Sequence, residues 1–563
     1  MVIKSTKELE EFLKKQREEA AERDAKRKAA ELNLEYLDVS TMPVQIKALE
    51  MIPESKARKA RVSPLYLKGK QLAIGALDPK NPKTESLIKD LHQKGIELKV
   101  YIVSERSLNY AWSFYKFVAP EAKEIVGRIE IERQKLEELE EKIDTLEEFK
   151  AYLREFKSLH PSEILEVILA GGLANRASDL HFEPGREKCG LRVRIDGILY
   201  DLFELDVPAY KSLLSRIKLL SGLKLNIRNR AQDGRFSVKV FKKEIEIRTS
   251  TIPSEYGETI VLRLLDPELI SLELEQLGLR ADDLAVIEAQ LKKPNGMILN
   301  TGPTGSGKTT TLYAFLKKVY RPEIKIITIE DPIEYHLKGI EQTQVNPEAG
   351  YDFKTGLRSI LRQDPDVILV GEIRDLETAR IAMHAALTGH LVFSTLHTNR
   401  AAGAIPRLIS LGVEPAIISP ALNIIIAQRL VRRLCPYCKK ATEINKSTKK
   451  QIDEFIKNLP PRVDKSKIEN YQIYKPVGCN KCQNLGYHGR IGIFEIFQLT
   501  SEVRKAIHQG ISALDLLELA KDQQMVTVQQ DGIIKALSGI TSFEEIERVT
   551  GSLPFKLKYE YEP

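Results

Sequence analysis

No apolar run in this chain approaches the ~18 residues that a membrane-spanning helix requires, so a role at a membrane has to pass through a partner. The opening stretch, MVIKSTKELEEFLKKQREEAAERDAKRK, lacks the apolar core of a signal peptide, and a cytoplasmic protein is the expectation. Cysteine is scarce, five in 563 residues, and four of the five fall in two Cys-x-x-Cys pairs. That excludes a disulfide framework and points to metal ligation in a reducing compartment. No repeat with a period of roughly 20 to 50 residues is present, which excludes a solenoid or propeller. The net charge of +7 is modest for this length; it permits an anionic partner without requiring one. A hydrophobic share of 42% and a charged share of 29% are ordinary for a soluble globular protein. The function therefore has to be read from motifs.

The chain has room for about three or four domains. Residues 1–33 read as a charge-dense helical arm. Over 34–118, the segments LAIGAL, SLIKDLHQKG and ELKVYIVS alternate strand and helix, giving a small N-terminal α+β domain. Residues 119–161 contain EIERQKLEELEEKIDTLEEFKAYLREF, with Leu136, Leu139, Ile143, Leu146 and Leu153 at helical spacing; this predicts a long amphipathic linker helix. From 162 to 268 the pattern is β-rich and interleaved with Arg192, Arg194, Arg228, Arg230, Arg235, Arg248 and Arg263. Residues 269–499 alternate strands and helices in the α/β manner, with a cysteine-bearing insertion at 435–482, and 500–563 read as short helices and a tail.

The stretch MILNTGPTGSGKTTTLYA, beginning at Met297, places a strand ahead of Gly302-Pro303-Thr304-Gly305-Ser306-Gly307-Lys308-Thr309, with Thr310 opening the helix behind it. This is a P-loop. Its glycines turn successive backbone N–H groups inward around phosphates, and the following helix points its positive end at them. Lys308 would reach the β- and γ-phosphates of ATP, and the Thr309 hydroxyl would hold Mg²⁺. Two acidic strand ends follow. In DPDVILVGEIRD, Val367 to Val370 read as a buried strand ending at Glu372, placed to bind Mg²⁺ directly or through water. Many P-loop enzymes use Asp there; this chain has Gly-Glu. Between the two motifs, IKIITIEDPIEY offers Glu330, Asp331 and Glu334, any of which could orient or deprotonate an attacking water. A further strand in TGHLVFSTLHTN is bracketed by His390 and His397.

In this order, the P-loop, ITIEDPIEY, RQDPDVILVGEIRD and TGHLVFSTLHTN closely resemble the secretion ATPases of bacterial type II secretion and type IV pili. ASDLHFEP, RIDG, QDGRF and IRTSTIPSEYGETIVLRLL resemble that family's second N-terminal domain. AQRLVRRLCPYCK, GCNKCQNLGYHGRIGIFEI and DGIIKALSGITSFEEI resemble its C-terminal half. The resemblance implies a RecA-like P-loop ATPase domain behind two smaller domains. It makes Glu334 the catalytic carboxylate, Glu372 the Mg²⁺-side acid and His397 a sensor of nucleotide state. It also makes Arg248 and Arg263 residues that reach the nucleotide. It implies a homohexamer that turns or pushes an inner-membrane platform protein, with no nucleic acid expected. One departure stands out: the family has Asp after the His-Thr-Asn run, and this chain has Arg400. No Arg-Leu-Gly-led motif of the kind some relatives use for cyclic di-GMP is found, so that regulation is not implied.

Cys435, Cys438, Cys479 and Cys482 suit tetrahedral Zn²⁺. The residues between the pairs, 439–478, exceed the about 15 to 20 of ordinary zinc ribbons, so the four thiolates would clamp a long excursion. Four reduced cysteines without metal are the other reading. Cys189, alone in EKCGLRVR, reads as a small strand residue. Retraction-type relatives lack both the cysteine module and the extra N-terminal domain, so the resemblance implies the assembly and secretion side. The competing function is a nucleic-acid-translocating P-loop motor, favoured by the interleaved arginines and the net charge. No aromatic-rich strand motif for stacking single strands accompanies those arginines. A non-catalytic scaffold would not need Lys308, Thr309, Glu334 and Glu372 together.

Overall fold

A computed structural model describes residues 20–557 except 43, 50, 53, 69–70, 94–95, 118–126, 132–144, 156–160, 241–242, 267–270 and 511. Its contacts divide the chain into two units, Met1–Val126 and Gly127–Pro563. Among the described residues no helix is long and apolar enough to cross a membrane.

The first unit holds a three-stranded sheet of Val62–Lys68, Gln71–Ala76 and Glu97–Ile102. The first pair is antiparallel and the second parallel, the latter joined through the helix Pro82–Gln93. Leu72, Ile74, Val103, Leu108 and Trp112 make its core, and Trp112 Nε1 donates to the Val62 carbonyl at 2.9 Å.

The β-rich part of the second unit is a seven-stranded sheet. Its order is Arg128–Ile131, Gln232–Val240, Lys243–Ser254, Gly257–Leu265, Ala177–Pro184, Lys188–Ile195 and Ile198–Asp206. Alternation puts Ile245, Ile247, Ile260, Leu262, Leu180 and Val193 into a core with the helices Pro161–Ala174 and Val207–Leu220. Cys189 is buried in this core. The long linker helix expected from Glu130 onward does not begin there. Residues 128–131 form a strand that joins this sheet parallel to Gln232–Val240, because Ile129 and Ile131 alternate into the core. The helix Leu146–Glu155 buries Leu146, Phe149 and Leu153 in that same core; Leu136, Leu139 and Ile143 lie outside the described residues.

The second sheet runs Glu341–Gln344, Ile326–Glu330, Val367–Val370, Leu391–Leu396, Gly296–Thr301, Leu422–Leu434 and Tyr487–Gln498. All neighbours are parallel except the last pair. Met297 and Leu299 enter one core while Ile298 enters another, so the sheet is covered on both faces. A sheet covered in this way explains the unbroken apolar runs VILV and LVF. The excursion between the cysteine pairs folds as the helix Lys446–Lys457 and a short antiparallel pair, Lys440–Thr442 with Ile473–Lys475. Four helices close the chain: Ser501–His508, Ala513–Asp522, Val528–Leu537 and Phe543–Thr550.

Candidate active site

The P-loop connects the strand Gly296–Thr301 to the helix Lys308–Val319. Gly302 and Gly307 are required there by close approach. A Cβ on Gly302 would lie 2.6 Å from the Gln428 carbonyl oxygen, and one on Gly307 would lie 2.9 Å from Gln428 Nε2. Gly307 also adopts φ 88°, a left-handed conformation costly for other residues, directly before the helix starts. Pro303, Thr304 and Gly305 form the exposed tip, and Lys308, Thr309 and Thr310 are half-buried behind it. Lys308 Nζ donates to the carbonyls of Gly302 at 2.8 Å and Pro303 at 3.0 Å. Burial lowers the Lys308 pKa, the charge of Glu372 opposes that, and the charge of Arg429 adds to it. Ser306 Oγ is buried without a hydrogen-bond partner among the described residues. A loop with inward cradle positions, a lysine parked on its own carbonyls and an orphaned buried hydroxyl fits a phosphate chain with its metal.

The neighbouring strand ends complete the cleft. Gly371 N donates to the Ile329 carbonyl and Thr395 Oγ1 to the Gly371 carbonyl, each at 2.8 Å, which fixes the peptide ahead of Glu372. Glu372 pairs with His397 Nε2 at 3.3 Å and with the Arg374 guanidinium. Thr398 N donates to Thr301 Oγ1 at 2.8 Å, tying the His397 segment to the P-loop strand. The fold therefore brings Lys308, Glu372 and His397 together.

Glu334 faces the other domain. Arg248 Nη1 donates to its Oε2 at 2.8 Å, the second Arg248 amino group donates to the Ile333 carbonyl, and Arg248 Nε pairs with Glu246 at 3.0 Å. Arg263 lies directly opposite Arg248 in the antiparallel register, on the same face, and pairs with Asp179 at 3.0 Å. The register continues on both sides, so Arg235, Arg248, Arg263, Asp179 and Arg194 form one row across five strands. Both sequence-selected arginines thus have acidic partners; Arg248 touches the carboxylate of interest and Arg263 does not.

Glu330 is not available to a water. It is 3% exposed and accepts from Tyr313 OH, from Thr328 Oγ1 at 2.6 Å and from Gln342 Nε2 at 3.2 Å, and burial raises its pKa. Gln342 Nε2 also donates to the Tyr335 carbonyl at 3.2 Å, so this buried carboxylate braces the segment that carries Glu334. Sequence reasoning passed over Gln428 and Arg429. Gln428 Oε1 accepts from Asn300 Nδ2 at 3.0 Å and Thr311 Oγ1 at 2.8 Å, locking the P-loop from below. Only the pairing of Thr301 with Ala427 brings these residues to the loop.

The four cysteine sulfurs lie within 4.8 Å of one another. Sγ–Sγ separations are 3.9 Å for Cys435–Cys479, 3.7 Å for Cys438–Cys482 and 3.8 Å for Cys479–Cys482. Four thiolates placed tetrahedrally at the usual Zn–S distance would be about 3.8 Å apart. Backbone N–H groups of Gly478 and Gly486, each at 3.3 Å, donate to Cys438 and Cys482 Sγ. The donor set fits zinc.

Fold and site together define a RecA-like P-loop ATPase, a strand–loop–helix phosphate cradle with acids at adjacent strand ends. Residues 158–548 match the Type II/IV secretion system protein family and residues 32–115 match the MshEN domain. The chain belongs to the type II/IV secretion system protein family. It is 37% identical over 524 residues to the type IV pilus assembly ATPase PilB of Pseudomonas aeruginosa, covering 93% of this chain and 89% of the relative. It is 45% identical over 387 residues to the type II secretion system protein E of Dickeya dadantii, covering 69% of this chain and 75% of the relative. The structure of the Legionella pneumophila ATPase DotB overlays with a TM-score of 0.51 at 20% identity, over 69% of this chain and 95% of that one, and supports the fold.

Proposed function

We propose that this chain hydrolyses ATP as a cytoplasmic homohexamer. Its domain motions drive assembly of type IV pilus or type II secretion pseudopilus subunits through an inner-membrane platform protein. The names of its relatives support both machines equally. The observation that carries the reading is the contact of Arg248 with Glu334, since an arginine from the β-rich sheet meets a carboxylate of the P-loop domain beside the cleft.

In this reading, ATP displaces the two carbonyls from Lys308, which then neutralises β- and γ-phosphate oxygens. Thr309 and Glu372 would hold Mg²⁺, which supplies charge neutralisation on the phosphates. Glu334 orients and deprotonates the attacking water. Arg248 holds Glu334 in place before ATP arrives and turns to the γ-phosphate as the domains close. Arg263 follows on leaving Asp179. His397, in contact with Glu372, reports the state of the metal side of the site. A nucleic-acid motor receives no support from the relatives, and Arg248 and Arg263 are engaged by Glu334, Glu246 and Asp179 rather than presented as a free tract. Phosphate release from MgATP, measured with and without duplex and single-stranded DNA, separates the two. We expect hydrolysis that DNA leaves unchanged. Stimulation by DNA with a steep salt dependence would favour the motor.

The same reading places one Zn²⁺ per chain on Cys435, Cys438, Cys479 and Cys482. Cysteine must be deprotonated to bind, so chelator and acid should both strip the metal. Cys435 N to the Gly486 carbonyl at 3.0 Å joins the two halves of the knuckle, and Gly489 N to Asp196 at 2.8 Å ties the strand that follows it to the β-rich part of the chain. Cys479→Ser should therefore lower protease resistance in the C-terminal half before it affects the P-loop strand. Elemental analysis of protein purified without chelator should give one zinc per chain; none would end this assignment.

A further inference from the structure

Arg400 lies in a cavity that the mechanism leaves unused. About 670 Å³ in volume, this cavity opens beside the P-loop tip and is lined by Pro303, Asn399, Arg400, Arg429, Glu495 and Gln529 among others. The Arg400 guanidinium has no hydrogen-bond or ion-pair partner among the described residues; only its backbone carbonyl is engaged, by Thr398 Oγ1 at 3.0 Å. Arg429 is fixed on neutral groups, donating to Asn399 Oδ1 at 2.9 Å and the Gln428 carbonyl at 3.0 Å. The acid that lines this cavity is Glu495. It is 3% exposed, and its oxygens already accept from Ala401 N at 2.8 Å and Val528 N at 3.4 Å. Two guanidiniums therefore share a chamber whose single carboxylate is turned to backbone donors. Both guanidiniums feel the Glu495 charge without pairing to it, so the chamber keeps more positive than negative charge, and the arrangement is one that an anion completes.

We propose that Arg400 and Arg429 form an anion-binding site contiguous with the P-loop, and that it holds the inorganic phosphate released by hydrolysis. This rests on the ATPase reading above. Three features select phosphate over a larger anion. Pro303 belongs both to the cavity wall and to the loop that cradles the triphosphate. Arg429 stands close enough to Lys308 for the two charges to repel. Asn399 and Gln529 add neutral polar groups to the lining, suited to protonated phosphate oxygens. The site makes a path for the product: phosphate leaves the Lys308 side of the loop, is received between the arginines, and reaches solvent through the exposed Arg400.

Calorimetric titration of inorganic phosphate into the full-length chain saturated with MgADP tests this, because ADP occupies the P-loop and leaves the chamber open. The wild type should bind phosphate. Arg400→Asp and Arg400→Gln should weaken phosphate binding by about tenfold or more, the effect of losing a hydrogen bond to a charged group, and Arg400→Lys by less. ADP affinity, read from the same samples, should move less than phosphate affinity. Equal phosphate affinity in wild type and in both Arg400→Asp and Arg400→Gln would place the anion on the P-loop alone and overturn the proposal. So would an ADP-loaded wild type that binds no phosphate. A chain that fails to bind ADP would instead remove the ATPase reading, and this site with it.

Discussion

Lys308→Ala is expected to reduce ATP turnover by at least about 10²–10³, the range seen when one preorganised electrostatic donor is removed from a reacting centre. The lysine starts the helix Lys308–Val319, and its ammonium donates to two carbonyls of its own loop. Alanine is the best helix former, so the helix should survive the change. Burial and the charge of Arg429 both disfavour the ammonium, and only Glu372 favours it. Removing the lysine thus relieves a desolvated cation in the empty loop while taking away the partner of the β- and γ-phosphates. Melting temperature should be unchanged or slightly raised, while phosphate release falls to background. A variant that retains turnover would show that the P-loop is not the site of hydrolysis.

Arg248→Ala should cost more in rate than in binding. Arginines that reach a transferring phosphoryl group contribute roughly 10³ to 10⁵ in rate, or about 4 to 7 kcal/mol of barrier at 1.36 kcal/mol per factor of ten. In the proposed mechanism Arg248 takes that role, held before closure by contacts within its own chain to Glu334 and to the Ile333 carbonyl. Its loss frees Glu334 and removes the link between the sheet and the acidic loop. ATP binding to the P-loop should persist, since none of the phosphate cradle is touched. Arg263→Ala should also impair turnover, but by less, because Arg263 pairs with Asp179 and makes no contact with Glu334. In the hexamer reading, wild-type specific activity rises steeply with protein concentration, and Arg248→Ala stays inactive throughout. An Arg248→Ala variant with full activity would reduce the arginine to a surface ion pair.

The phosphate cradle was legible because its requirements are local: a strand, fixed glycine spacing and a helix occur within one short stretch of chain. The facing of Arg248 and Arg263 has an equally local cause. A tight hairpin pairs Ser254 with Gly257, and counting back along both strands sets Arg248 opposite Arg263. What was not legible depends on distant pairing. Gln428 and Arg429 reach the P-loop only because Leu422–Leu434 lies parallel to Gly296–Thr301, and no local spacing encodes that neighbour. Glu330 and Glu334 look equivalent in ITIEDPIEY. They separate once Tyr313, on the helix behind the P-loop, closes over the first. The strand 128–131 was hidden by the charged, helix-favouring residues around it. Two isoleucines in alternation were enough for the sheet to capture it.

Glu334→Gln tests the central assignment most directly, because it changes one atom of the proposed base and little of the volume. Phosphate release should be followed side by side in wild type and variant, at a concentration where the hexamer is verified by mass, together with equilibrium ATP binding. The glutamine can still accept from Arg248 but cannot take a proton from water. The expected result is ATP affinity near that of the wild type with turnover lowered by about 10²–10⁴, the contribution of a positioned general base. Wild-type turnover in Glu334→Gln would contradict the account and pass the role to Glu372, since Glu330 is sealed from the cleft by Tyr313, Thr328 and Gln342.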